Sequence, residues 1–149
     1  MRHRREDRPE GQALVEFSLV LIPFLILMMG VFDLGRGIYT MNATAEAARE
    51  IARVTIVHPF GGTRDLGSSS QAQAVIATQR SLVPNLQINP STDIVCVDVT
   101  DAVLPDAQCQ ERADRFVRVR VTATYTPVTP LVSMFGTHTF ESISRIDVP

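Results

Sequence analysis

An apolar run that holds a single charge does most to limit what this chain can become. From Gly11 to Phe32 the sequence reads GQALVEFSLVLIPFLILMMGVF, and Glu16 is its only ionisable side chain. About 22 residues at 1.5 Å each make roughly 33 Å of helix, enough to cross the hydrocarbon of a bilayer. A carboxylate in such a span costs about 2.5–3.5 kcal/mol at the membrane centre and less toward the interface. Glu16 therefore asks for a functional reason, the bland alternative being a side chain that snorkels back to water at the near interface. Pro23 lies inside the same run, removes one helical hydrogen bond and favours a kink, with or without a role in function. Spans tolerate proline because neighbouring helices can satisfy the freed carbonyl.

The residues before the run place it. MRHRREDRPEG carries Arg2, Arg4, Arg5 and Arg8, and positive residues beside a span tend to stay in the cytoplasm. This predicts a cytoplasmic head over 1–11, a transmembrane helix over 12–34 and an extracytoplasmic remainder. The apolar core exceeds the 7–15 residues usual for a secretory signal. Ala43-Thr44-Ala45 resembles a cleavage site but lies well beyond it, past Asp33 and Arg36.

The helix is expected to leave the membrane and continue over 35–57, where good helix formers dominate. Ile38, Met41, Ala45, Ala48, Ala52 and Thr55 form a small-residue stripe at helical spacing. Glu46–Arg49 and Glu50–Arg53 are opposite-sign pairs three residues apart. Gly30, Gly35 and Gly37 weaken the middle, where a bend is expected. His58-Pro59 and FGGTRDLGSSS end the helix in a loop that includes Gly61-Gly62. A second helix follows over 69–83, capped within Ser68–Ser70, with Ala72, Val75, Ile76, Leu82 and Val83 as its apolar face, and Pro84 stops it.

Beyond Pro84 the period changes to two. Asp93 to Asp101 puts Val95, Val97 and Val99 on one face. Phe116 to Thr126 alternates Val117, Val119, Val121, Ala123 and Tyr125 against Arg118, Arg120 and threonines. LPDAQCQERAD, residues 104–114, connects these strands, and TPVTPLVSMFG leads to a last strand near 137–147. Residues 58–149 thus form an α+β domain, with a three- to four-stranded antiparallel sheet packed on both helices. Cys96 and Cys109 are the only cysteines. Outside the cytoplasm such a pair reads as a disulfide rather than two free thiols.

Little in the chain points to chemistry. All 14 basic residues are arginine and are mixed with acids, and the net charge is −2, which argues against a nucleic-acid surface. His3, His58 and His138 are scattered, and no nucleophile, phosphate-loop or zinc motif is present. Asp98, Asp101 and Asp106 lack the spacing of an EF-hand and read as a solvated strand end. Arg118 and Arg120 read as a solvated strand face or a contact between subunits. No catalytic, cofactor or metal site, and no enzymatic activity, is expected.

A basic head, then Gly11, four uncharged residues, Glu16 and the aromatic Phe17, then an apolar helix, resembles the class III prepilin signal of Flp, or tight-adherence, type IV pilins. GQALVEFSLVLIPFLILMMGVFDLGR, the AREIAR stretch and the closing VRVTATYTPVTPLVSMFG are together similar to the TadE family of pseudopilins. The resemblance implies a prepilin peptidase that cuts between Gly11 and Gln12. Glycine suits that position, since a protease must approach the backbone closely. It also implies that Glu16 pairs with the freed amine of Gln12 on a neighbouring subunit, that the helix packs with other pilins and pseudopilins, and that an assembly platform is a partner. Major Flp pilins are little more than the helix, so a domain of this size implies a minor subunit. The contrasting expectation is a signal-anchored extracytoplasmic domain with no filament.

Overall fold

The computed structural model describes residues 9–60, 65–110, 114–134 and 136–148. The arginines of the head, Gly61-Gly62 and residues 111–113 of the second connection lie outside the described residues. One helix, α1 (Pro9–Val57), takes 49 residues, about 74 Å. It runs through Pro23, Gly30, Gly35 and Gly37 as one continuous helix.

The helix α2 (Ser70–Leu82) begins at Ser69, whose hydroxyl accepts the Ala72 N–H at 3.1 Å. Gly67 makes the turn just before it: φ is +74°, and a Cβ there would stand 2.7 Å from Ile94 Cδ1. The strand β1 (Leu86–Gln87), the short helix α3 (Pro90–Asp93), β2 (Ile94–Val97) and β3 (Val103–Leu104) follow, and then a 3-10 turn at Asp106–Gln110. The chain closes with β4 (Phe116–Tyr125), the single turn α4 (Pro130–Ser133) and β5 (His138–Asp147).

All five strands join one antiparallel sheet around β4. Along its whole length β4 pairs with β5, from Phe116↔Asp147 to Tyr125↔His138. Its other edge takes β2 at Ile94↔Val119 through Val97↔Phe116 and β1 at Leu86↔Ala123, while β3 extends β2. The expected three or four strands become five because β1 and β3 are two residues each, too short for any period to announce them.

The core lies between one face of this sheet and the distal half of α1, closed at the side by α2. Val117, Val119, Val121, Ala123 and Tyr125 are all buried, as the alternation predicts. On α1 the buried stripe is Thr40, Thr44, Ala47, Ala48, Ile51, Ala52 and Thr55. It is turned from the expected one: Ile38 and Met41 stay exposed, and Thr40, Thr44 and Ile51 face inward instead. Buried threonines cost little here, because Thr40, Thr44 and Thr55 each donate to the carbonyl four residues earlier.

Two further expectations fail in instructive ways. Leu82 is exposed at the end of α2, where Val83 turns inward in its place. In β2 the inward residues are Ile94 and Cys96, with Val97 also buried, whereas Val95 is half-buried and Val99 exposed. Cys96 must face inward because it is joined to Cys109, itself buried, with Cα atoms 5.6 Å apart. The strand then ends at Val97, since Asp98 and Asp101 form a turn: Asp98 accepts the Thr100 and Ala102 N–H groups, and Asp101 has φ +67°.

Candidate functional site

The residues singled out at the head of α1 share one environment. Gly11, Gln12, Glu16, Phe17 and Pro23 are exposed along the helix, and none of its most apolar window is covered by the rest of the chain. Such a surface has no stable place in water. Gln12 and Glu16 are four apart, one helical turn and about 6 Å along the axis, on one face. No described side chain of the same chain forms an ion pair with Glu16. By length and composition α1 is able to cross a membrane.

The uncovered stretch ends abruptly. Phe32 is exposed, and Asp33 beside it is only 5% exposed. Its carboxylate gathers three donors from the far end of the chain: Oδ2 accepts the Thr129 N–H at 2.7 Å, and Oδ1 accepts the Val128 N–H and the Tyr125 hydroxyl, both at 3.1 Å. The same hydroxyl lies 2.8 Å from the Asp33 carbonyl oxygen. Arg36 stands one turn further, 3.8 Å from Oδ1, with its guanidinium 5.8 Å from the centre of the Tyr125 ring. Gly37 lies under that ring, and even a Cβ there would reach only ordinary contact, 3.7 Å away. Burial first, and then the bond to Asp33, push the Tyr125 hydroxyl above its usual pKa.

This clamp fixes where the folded domain begins on the helix. Sequence reasoning did not find it: Asp33 and Arg36 read there as charges that mark the end of the apolar run and as part of a resemblance, and Tyr125 as the end of an inward face. The available signal was a lone acid and base flanking the exit of an apolar run.

The remaining candidates do not converge. Asp101 pairs with Arg118, Asp106 accepts the Leu66 N–H at 2.8 Å, and Asp98 serves its own turn. Thr100 and Ala102 hold the Asp98 carboxyl below its usual pKa, the Thr100 hydroxyl having the largest effect. Arg120 pairs with Glu141, and Arg145 covers the Phe116 ring at 3.7 Å while donating to the Asp98 carbonyl. Among the described residues no group of three His, Cys, Asp or Glu side chains is placed to hold a metal ion. His58 and His138 are exposed and apart.

An uncovered apolar helix, clamped at one acid to an α+β domain, defines the architecture of a membrane-anchorable helix that carries a folded domain at its C-terminal end. Residues 11–53 match the family described as TadE-like protein, so the long helix carries the TadE-like signature from Gly11 through the clamp to the Glu50–Arg53 pair. The match covers 43 of the 149 residues, all of them in α1. No curated protein and no solved structure matches the chain.

Proposed function

We propose that the chain is a TadE-like minor pilin, or pseudopilin, that takes part in assembling a Flp/tight-adherence type IV pilus and has no enzymatic activity of its own. A prepilin peptidase removes the head between Gly11 and Gln12. The helix then spans the cytoplasmic membrane once, N terminus inside, and residues 58–149 stand outside as the extracytoplasmic domain. Other pilins and pseudopilins pack on the helix, and an assembly platform receives it.

The observation that carries this reading is the lone carboxylate of Glu16 on a helix face that the rest of the chain leaves bare, within the segment that matches the family. The freed amine of Gln12 on a neighbour supplies the opposite charge. Two charges removed from water repay their desolvation only when well paired, so the pair fixes axial register rather than adding stability.

Glu16→Ala tests the role of the carboxylate. An anchored domain without a filament tolerates it, because a span inserts more readily once its charge is gone. An assembling subunit keeps its membrane level and loses pilus formation. Normal piliation by Glu16→Ala cells would remove the assembly role.

A further inference from the structure

The depth of the folded domain follows once α1 is read as the span, and what is inferred below rests on that reading. The uncovered run from Gly11 to Phe32 matches the hydrocarbon thickness of about 30 Å, so Asp33 stands at the boundary with the headgroups. Asp33 is bonded to the Val128 and Thr129 N–H groups. The start of the crossover between β4 and β5 is therefore pinned to that same depth, and Val132 of α4 lines the same groove as Gly30.

The surface found there mixes apolar side chains, Val128 and Met134, with the exposed Thr126, Ser133 and Thr137. Val128 is 71% exposed and Met134 is 83% exposed. A groove of about 520 Å³ opens between α1 and the crossover, lined mainly by apolar groups such as Leu34, Ile38, Val132 and Phe140, with Gly30 at one side and Asp33 and His138 among its ionisable members. Gly30 lies three residues, about 4.5 Å, on the membrane side of Asp33, so the groove reaches past the boundary into the zone of the span. The exposed side chains of Val31, Leu34, Ile38 and Met41, at helical spacing, carry an apolar surface up one face of the helix, and the exposed Arg36 lies across the helix from it. A face continuous with a span and lying at its depth is covered by whatever covers the span.

We propose that this face docks on the outer surface of the bilayer. Val128 and Met134 enter the boundary between headgroups and acyl chains, and a lipid acyl chain occupies the groove beside Leu34 and Ile38. The domain then has two attachments to the membrane, the helix and the crossover, and its tilt is set before any other subunit arrives.

Spin labels test this in the full chain, disulfide intact, in vesicles of phosphatidylethanolamine and phosphatidylglycerol. One label is placed at a time: Val128→Cys, Met134→Cys, Phe24→Cys within the span, and Val103→Cys. Val103 is exposed and apolar as well, but it extends β2 at the far end of the sheet. Collisions with an aqueous nickel chelate are compared with collisions with oxygen. The proposal expects the labels at 128 and 134 to be shielded from nickel several-fold relative to 103, and 24 to be shielded most. Labels at 128 and 134 as open to nickel as 103, with 24 shielded, overturn the docking alone. A label at 24 open to nickel overturns the span and the docking together. Shielding at 128 that vanishes as the chain is diluted in lipid assigns the face to a second copy and overturns the lipid contact.

Discussion

Tyr125→Phe removes one oxygen from the clamp and leaves its shape. The hydroxyl has one proton, shared between the Asp33 carbonyl at 2.8 Å and Oδ1 at 3.1 Å. A hydrogen bond of this kind, partly to a charged group and away from water, contributes about 1–2 kcal/mol to stability. The ring keeps its contacts with Gly37 and Phe140, so no cavity term is added. For a domain near 100 residues the loss lowers Tm by roughly 5–10 °C. Scanning calorimetry of the full chain in nanodiscs reads it, since the tyrosine signal itself is altered by the change. Asp33→Ala lowers Tm further, because the Val128 and Thr129 N–H groups lose their acceptor as well. In that background Tyr125→Phe has a smaller effect than alone, the mark of coupled sites. A Tm unchanged by Tyr125→Phe would refute the clamp as the joint between helix and domain.

The same hydroxyl predicts a pH limb. The folded Tyr125 pKa lies above its ordinary value of 10.0, so its stabilisation is fully present below that value and is lost as pH rises through the folded pKa. Denaturation followed from neutral to strongly alkaline pH shows this decline, and Tyr125→Phe flattens it. Reducing the Cys96–Cys109 bond, which closes a 13-residue separation, costs about 3 kcal/mol in the chain-entropy account; unfolding with and without reductant measures the loss. Gly67→Ala destabilises the domain, because φ of +74° and a 2.7 Å approach to Ile94 Cδ1 leave a methyl group no room. A melting temperature equal to that of the unchanged chain would contradict the tight packing of that turn.

The parts legible in the sequence were those governed by one local rule. Alternation in β4 fixed its inward face residue by residue, and Ser69 and Pro84 bracketed α2 through capping and the missing N–H. The apolar run announced the uncovered part of α1 through hydrophobicity alone. What stayed hidden depended on distant partners. Ile38 and Met41 fit a helical stripe as well as Thr44 and Ile51 do, and only the position of the sheet decides which face is covered. In β2 the valines alternated convincingly, but the disulfide turned Cys96 inward and so set the opposite face. The clamp joins residues more than 90 positions apart, beyond the reach of any periodicity.

The most direct measurement is the mass of the mature chain purified from cells that contain the prepilin peptidase. The account predicts a polypeptide that begins at Gln12, with the Cys96–Cys109 bond in place. A chain that retains residues 1–11, or one cut near Ala45, would contradict it.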